Sequence, residues 1–308
     1  MIRFLSILIA ALVLVGSASA EKRIALTFDD APRGDGPVLS GAMRTDMLVR
    51  RLFEARAVPS AFFVTTKGFE EGLDGVERIE TYAAAGHLIA NHSHSHPWLH
   101  QTDVETYLAD IDEAERRLAR FENRRPWFRY PFLDEGRQDV EKRDAVREAL
   151  AERGLMSGYV TVDTYDWHID RRWRQAAAEG KSVNLAALRE VYVSMIVDAA
   201  EHYDAMAEEW LDRQPAHVLL LHENDLAALF IGDAVKALRQ AGWEIISPDE
   251  AYDDPIADEL PETTFSGMGR VAALAADRGA SGAEVFDHWS ADEAAIDAKL
   301  EERGVFSD

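Results

Sequence analysis

The stretch Ile24–Asp30, which reads IALTFDD, decides the fold of this chain. Its first five residues are mostly apolar, and two carboxylates follow them directly. A short apolar run of this kind is typical of a strand buried inside a sheet. The sequence therefore predicts a core strand that delivers Asp29 and Asp30 to one edge of that sheet.

Further short apolar runs follow, separated by longer segments with helical periodicity. The predicted strands are Ile24–Phe28, Ala61–Val64, Leu88–Ala90, Trp127–Arg129, Tyr159–Val162, Val218–Leu221 and Glu244–Ile246. The predicted helices are Leu39–Ala57, Val76–Ala85, Val104–Phe121, Val140–Arg153, Leu185–Leu211 and Ala234–Ala241, the third opened by a capping box of Thr102 and Glu105. Such alternation is typical of a parallel sheet with helices outside it, and about seven repeats favour a closed or nearly closed barrel.

Polar residues that suit catalysis fall where the predicted strands end. Asp29 and Asp30 close the first strand, Arg129 ends the fourth, Asp163 ends the fifth and His222 ends the sixth. In a parallel α/β barrel, active sites are assembled at the carboxyl ends of the strands, so residues distant in sequence meet there. Each also has a structural alternative, because adjacent aspartates often form a turn or a helix N-cap.

The segment 91–97 reads NHSHSHP and concentrates three imidazoles beside a proline. Imidazole nitrogen and carboxylate oxygen suit a catalytic zinc, which keeps three protein ligands and one open position. Asp30, His92 and His96 would make such a set if the two histidines were one helical turn apart. An extended backbone would instead align His92, His94 and His96, which leaves an all-histidine site as an alternative.

Composition limits the class of partner. The chain has 308 residues, a hydrophobic fraction of 47% and a formal net charge of −23. This hydrophobic fraction allows a sizeable core, while the negative charge argues against a nucleic acid held through its phosphates and against anionic lipid. A neutral, basic or carbohydrate-like substrate is easier to reconcile with that charge.

The first twenty residues have the features of a secretory signal peptide. Arg3 supplies the positive end, an apolar run covers residues 4–15, and Ala18-Ser19-Ala20 provides a cleavage site. We expect Glu21 to begin the mature protein, exported to the periplasm or beyond, with no integral membrane segment after cleavage. A membrane anchor is the alternative, although the run is shorter than the ~20 residues that span hydrocarbon.

Five short motifs occur in order: Thr27–Asp30, His92–His96, Arg129–Phe132, Asp163–Trp167 and Leu220–His222. Over roughly residues 22–252 they resemble the motifs of the polysaccharide deacetylase (NodB-homology) family of carbohydrate esterases. The resemblance implies an α/β fold with a distorted (β/α)7-type barrel. It also implies a hydrolase of non-peptide carbon–nitrogen bonds that removes N-acetyl or O-acetyl groups from a carbohydrate with a divalent metal, usually zinc.

The resemblance further implies roles for the first three motifs. Asp29 corresponds to the general base that acts on a metal-bound water, and Arg129 to the residue that orients it. Asp30, His92 and His96 correspond to the metal ligands.

The remaining roles concern the leaving group and the acetyl pocket. His222 corresponds to the general acid and Asp163 to the carboxylate that tethers this histidine. Leu220 and Trp167 correspond to the lining of the acetyl pocket. The backbone N–H of Phe132 corresponds to the oxyanion donor.

The chain also departs from the family pattern. Ala31-Pro32 replaces the usual Gly-Pro after the paired aspartates, and the stretch 33–37 extends that loop. Phe132 stands where the family usually has tyrosine, and Glu223-Asn224 follows the last motif. These departures leave the catalytic atoms in place and bear on the substrate.

We therefore expect a signal peptide at 1–20, a deacetylase barrel at 21–254 and a small helical extension at 255–308. Two other functions stay open. One is a same-fold amidohydrolase acting on a small non-sugar amide or imide, and the other is an inactive glycan-binding relative.

Overall fold

The computed structural model describes residues 22–70, 74–264 and 267–308. The signal peptide expected at residues 1–20 lies outside the described residues. Across the described ranges, the longest helices are too short or too polar to cross a lipid bilayer.

A parallel sheet forms the centre of the molecule. Its strands run in the order β5-β4-β3-β2-β1-β7, with β8 paired to the start of β1. A separate antiparallel pair joins β6 to β9. The strands are β1 (Arg23–Ala31), β2 (Ala61–Val64), β3 (Leu88–Asn91), β4 (Arg124–Phe128), β5 (Met156–Ser157), β6 (Ser182–Val183), β7 (His217–His222), β8 (Glu244–Ile245) and β9 (Phe306–Ser307).

Helices follow most of the strands and cover the sheet. They are α1 (Gly41–Glu54), α2 (Gly75–Ala84), α3 (Val104–Leu118), α4 (Val140–Glu152), α5 (Asp166–Ala178), α6 (Leu185–Leu211), α7 (Asp225–Gln240), α8 (Pro248–Tyr252), α9 (Arg270–Asp277), α10 (Gly282–Phe286) and α11 (Glu293–Glu302). Short 3₁₀ turns lie at Thr66–Phe69, Leu99–Gln101, Pro131–Leu133, Pro255–Asp258 and Trp289–Ala291.

The segment 158–162 links β5 to β7 and gives the barrel its distortion. The predicted strand Tyr159–Val162 is wrong as a regular strand, because only Val162 forms a bridge, to Leu219 of β7. Gly158 packs closely against Phe63, since a Cβ at this position would lie 2.5 Å from the Phe63 ring. The α/β fold with a distorted barrel is thus confirmed, with an irregular segment in place of one strand.

Strand β1 lies in the middle of the core and sets the register of the site. It pairs with β2 on one side and β7 on the other, and Asp29 lies opposite His222. A bulge shifts the register between Phe28 and Ala31, and Asp30 has a positive φ of 67°. Neighbouring residues of a regular strand face opposite ways, so this bulge lets both aspartates turn toward one cavity.

The long helix α6 has the predicted bounds and carries the carboxyl-terminal segment. Helix α9 packs against α6, and Trp289 donates a hydrogen bond from Nε1 to Asp198 of α6 at 3.0 Å. The β6–β9 pair joins the same segment to the chain before α6. The described residues after 254 therefore pack on the barrel through α6.

One predicted helix cap and one predicted helix start are wrong. Asp103, one residue later than Thr102, caps α3 by accepting a hydrogen bond from Thr106 N. Helix α7 begins at Asp225 instead of Ala234, because its first turns are apolar on all sides and show no helical period. Helix α5, which begins at Asp166, is absent from the predicted helices.

Candidate active site

Asp30, His92 and His96 come together at the carboxyl edge of the sheet. One ligand atom from each lies within 4.8 Å of the other two. Asp30 Oδ1 is 3.2 Å from His96 Nε2 and 3.6 Å from His92 Nε2. This group matches the ligand set expected from the sequence.

The histidines lie on a loop, and the helical turn expected between them is absent from residues 92–98. Ser93 and His96 have positive φ angles of 72° and 60°. The Asp110 carboxylate of α3 fixes the loop by accepting hydrogen bonds from His94 N at 2.7 Å and from Ser95 Oγ at 2.6 Å. The two histidines therefore meet because Asp110 of α3 fixes the shape of their loop, and not because of their i, i+4 spacing.

The alternative site built from three histidines is not formed. The His94 ring turns away and its Nδ1 lies 3.0 Å from Thr66 Oγ1. His92 and His96 face Asp30 instead.

The donor set fits a divalent cation. His92 Nδ1 lies 2.9 Å from the carbonyl of Arg129, which can only accept, so Nδ1 carries the proton and Nε2 presents a lone pair. That lone pair faces His96 Nε2 at 3.2 Å. Two imidazole nitrogens and a carboxylate oxygen converging on one point suit zinc, and a cation would relieve the contact between the nitrogens.

Asp29 is held beside this group by Arg129. Arg129 Nη1 donates to Asp29 Oδ1 at 2.5 Å, and the guanidinium also donates to Thr27 Oγ1, Gly158 O and Tyr252 OH. Both side chains are almost completely buried. The other carboxylate oxygen, Asp29 Oδ2, lies 3.6 Å from His92 Nε2, so it points toward the cluster.

His222 is held by Asp166, and this corrects the role expected for Asp163. His222 Nδ1 lies 2.6 Å from Asp166 Oδ1, while Asp166 Oδ2 accepts from the His222 backbone N–H and from Asn224 Nδ2. Helix α5 begins at Asp166, which places this carboxylate against the end of β7. Asp163 and Asp166 belong to one motif, and their spacing in the sequence does not decide which of them binds His222.

The charge on His222 is favoured by its surroundings. Burial would lower its pKa, but the charge of Asp166, the hydrogen bond from His222 to Asp166, and the charges of Asp30 and Asp29 outweigh burial and raise the pKa to about 9. At neutral pH the imidazole is therefore protonated. Its Nε2 is left to face the cavity, because Nδ1 is engaged by Asp166.

Asp163 lies in the same cavity wall without holding the histidine. Burial raises the pKa of its carboxyl to about 7, opposed by the positive charge of His222 and by the hydrogen bond from the Thr164 backbone. It remains a buried carboxyl beside His222, and its predicted tethering role passes to Asp166.

A cavity of about 490 Å³ opens over the cluster. Its walls include Leu220, Trp167 and Phe132, the residues expected to form the acetyl pocket and the oxyanion donor. Phe132 has a φ of 60°, and its N–H has no acceptor among the described residues. An N–H left without a protein partner in such a turn is free to donate to a ligand.

Trp98 and Phe132 form a flat aromatic wall on one side of the cavity, which the sequence did not indicate. Their rings stack with centroids 3.6 Å apart and an interplanar angle of 1°. The His96 ring packs edge-on against the Phe132 ring, with the two ring centroids 4.4 Å apart. The phenylalanine that replaces the usual tyrosine is thus part of a stacked pair, and the only signal for it in the sequence was that departure.

Two departures from the family pattern contact each other behind the site. Glu223, directly after His222, accepts from the Arg33 N–H of the extended loop at 2.8 Å. Its other oxygen accepts from Arg78 at 2.7 Å, from Tyr82 OH at 2.9 Å and from Arg44 at 3.2 Å.

The same arginines bind the backbone of the loop. Arg44 donates to the carbonyls of Arg33 and Gly34, and Arg78 Nη1 donates to the Arg33 carbonyl at 2.7 Å. Asp225 accepts from the N–H groups of residues 38 and 39. This buried network of charge pairs and hydrogen bonds therefore links the loop that follows Asp30 to the segment that follows His222.

Comparison with known proteins shows which proteins the first half of the chain resembles. Residues 16–155 match the family model described as Polysaccharide deacetylase. A chitooligosaccharide deacetylase of Rhizobium leguminosarum bv. trifolii is 33% identical over 102 residues, which are 33% of this chain and 42% of that protein. A peptidoglycan-N-acetylglucosamine deacetylase of Bacillus cereus is 31% identical over 147 residues, 48% of this chain and 47% of that protein. The matched regions thus span less than half the length of these two relatives.

Solved structures share the fold. The chitin deacetylase of the fungal pathogen Colletotrichum lindemuthianum has a TM-score of 0.51 and 18% identity, covering 76% of this chain and 88% of that one. A polysaccharide deacetylase from Bacillus cereus has a TM-score of 0.50 and 18% identity, covering 74% and 92%. Over residues 16–155, less than half of the chain, the sequence is therefore similar to the polysaccharide deacetylase family, and the fold agrees with that similarity.

Proposed function

We propose that this chain is a metal-dependent deacetylase that hydrolyses the N-acetyl group of a carbohydrate. The observation that supports this most is that a base and an acid line the same cavity as one cluster. A buried carboxylate held by Arg129 and an imidazolium held by Asp166 both line the cavity that contains Asp30, His92 and His96. An amide needs both, because water must lose a proton while the amine must gain one.

Asp30, His92 and His96 would hold the ion, and a divalent ion at this position would polarise the acetyl carbonyl and lower the pKa of water. The ion is most simply zinc, given two imidazoles and one carboxylate.

Asp29 is the base in this proposal. Arg129 binds Oδ1, which leaves Oδ2 directed toward the cluster to accept the proton of the attacking water. Four hydrogen bonds from Arg129 to Asp29, Thr27, Gly158 and Tyr252 hold the pair rigid. A positioned base of this kind typically contributes ~10²–10⁴ in rate.

His222 is the acid. Its Nε2 faces the cavity, and its proton passes to the nitrogen of the departing amine when the carbon–nitrogen bond breaks. The Phe132 N–H would donate to the oxyanion that forms in between, a type of contact worth ~10²–10³ in rate. Leu220 and Trp167 would surround the acetyl methyl.

We also propose that the protein is exported by a signal peptide at 1–20 and acts on a substrate outside the cytoplasm. In this proposal residues 21–254 form the catalytic barrel and 255–308 a helical extension. Edman sequencing of protein recovered after expression with its native leader tests the first part. Glu21 as the first residue supports cleavage, and an intact leader on soluble protein refutes it.

Acetate release tests the activity. The mature protein, loaded with zinc, is incubated with acetylated chito-oligosaccharides, peptidoglycan fragments, O-acetylated xylan and a panel of small amides and imides. Acetate from a glycan supports the proposal, with Asp29→Asn as the inactive control. Turnover of small amides alone favours the amidohydrolase alternative, and glycan binding without turnover by metal-loaded protein favours the inactive relative.

A further inference from the structure

A second, small cavity lies behind the catalytic one and is lined by arginine side chains. Its volume is about 40 Å³, several times the ~10–15 Å³ that one water needs. The guanidinium-bearing residues on its wall are Arg129, Arg137, Arg143, Arg147 and Arg270, against one carboxylate, Glu135. In a chain of net charge −23, so many positive groups around one small space need an explanation.

Three of these arginines have carboxylate partners. Arg129 binds Asp29. Arg147 donates twice to Glu135, at 2.9 and 2.7 Å, and thereby uses the one carboxylate on the cavity wall. Arg143 pairs with the exposed Asp144 at 2.8 Å.

Arg270 is different, because it is buried and has no carboxylate within ion-pair distance among residues 22–70, 74–264 and 267–308. It is only 5% exposed. Its Nη1 donates to the carbonyls of Ile256 and Ala257, while Nε and Nη2 have no acceptor in the described chain. Burial lowers its pKa from the ordinary value, and the charge of Glu135 opposes this without reversing it. The guanidinium stacks on the Tyr159 ring at 4.2 Å, but this contact does not neutralise it, and a buried charge without a counter-ion is costly.

The backbone adds to this positive environment. Arg270 begins α9, and Gly269 and Ala273 of its first turn also line the cavity. The amino-terminal end of a helix favours an anion through its dipole, while the Arg270 N–H itself donates to the Val160 carbonyl at 2.6 Å. Gly269 is pressed so closely on Val160 that a Cβ would lie 2.6 Å from its carbonyl oxygen, so this helix end is fixed in place.

We propose that this cavity is a binding site for a small monovalent anion, either a halide or a short carboxylate such as acetate, with Arg270 as its principal ligand. The size of the cavity excludes a sugar or a nucleotide. The existence of this anion site does not depend on the proposed deacetylase activity. The identification of acetate as its natural occupant does rest on that proposed function. Leu133 and Arg137 line both cavities, so acetate formed in the larger one would be released beside the smaller one.

Thermal unfolding of the zinc-loaded mature protein tests the site in sodium chloride, sodium acetate and sodium gluconate at equal ionic strength. Gluconate is a monovalent carboxylate too large for the cavity and controls for screening. We expect chloride or acetate to raise Tm saturably by roughly 2–4 °C over gluconate. Arg270→Gln should lose this dependence. The matched control Arg278→Gln, an exposed arginine at the other end of α9, should keep it.

Crystals of the unaltered protein grown in bromide provide a test that does not depend on a variant folding. An anomalous peak beside Arg270 supports the site. Loss of the peak in acetate shows that halide and product share it, and persistence shows that it selects halide. The proposal is overturned if the cavity holds only water in both salts, or if all three anions give the same Tm.

Discussion

His222 Nδ1 lies 2.6 Å from Asp166 Oδ1, and this contact determines the charge of the imidazole that faces the cavity. The contact joins the end of β7 to the first residue of α5, two elements separated by the long helix α6. Because the carboxylate takes Nδ1, the remaining nitrogen carries its proton toward the substrate. The general acid of the proposed reaction is therefore the His222–Asp166 pair, and not the histidine alone.

Asp166→Asn should move the alkaline limb of the rate profile to lower pH. The carboxylate raises the pKa of His222 by its charge and by its hydrogen bond, so its loss lowers that pKa. An acid works only while protonated, so activity is lost as pH rises through its pKa. Rates measured from pH 6 to 10 check this, and kcat at neutral pH should fall by ~10²–10⁴. An unchanged alkaline limb would show that Asp166 does not govern the acid.

NMR titration of His222 in the metal-free protein gives the same quantity directly. The pKa in the folded state should be about 9, above the ordinary value of 6.5. The imidazolium then stabilises the folded state fully below pH 6.5, and this contribution disappears as pH rises through about 9. A titration near or below 6.5 would be inconsistent with the structure.

Asp29→Asn should abolish acetate release and leave the metal in place. The amide cannot accept the proton of water, so kcat should fall by ~10²–10⁴. Asp29 is not in the proposed ligand set, so the zinc content measured by atomic absorption should match that of the wild type. Loss of zinc together with activity would instead make Asp29 a ligand.

His96→Ala should remove the bound ion, while His94→Ala should retain it. The two residues are neighbours on one loop, but His94 contacts Thr66 and His96 faces Asp30. Catalytic zinc needs three protein ligands, so loss of one typically abolishes tight binding. Metal analysis after dialysis separates the two variants. Equal loss of metal from both would restore the all-histidine site.

Glu223→Gln should destabilise the protein and slow the reaction without changing any residue that contacts substrate. The change leaves Arg78 without a carboxylate partner and Arg44 with only the 3.5 Å contact to Asp225, and breaking buried pairs in this way typically costs ~3–5 kcal/mol. The loop after Asp30 would then lose its anchor. Urea unfolding and kcat measure both effects, and the exposed Glu244→Gln is the control. Wild-type stability in Glu223→Gln would show that this network is dispensable.

Much of the fold could be predicted because its apolar runs are also its strands. The run 24–28 lies at the centre of the sheet, and 218–221 pairs with it. Segment 158–162 could not be predicted, since its irregularity depends on Gly158 packing against Phe63. Helix α7 starts early because its apolar first turns are buried on every side, which removes the period that reveals a helix.

The candidate site was predictable in its residue types and less so in its contacts. The ends of parallel strands must meet, which is why Asp30, His92 and His96 could be grouped from sequence. The reason given for the histidine spacing was wrong, because Asp110 of a following helix shapes their loop. Asp166 was missed as the partner of His222, since the choice between two aspartates depends on where α5 begins.

The most direct test of the account measures metal content and acetate release on the same samples of mature protein. Zinc is titrated back into chelated enzyme with an acetylated chito-oligosaccharide as substrate. We predict that acetate release rises in proportion to bound zinc and reaches its maximum at about one ion per chain. Full activity in chelated enzyme, or one bound ion per chain without acetate from any acetylated glycan, would contradict the account.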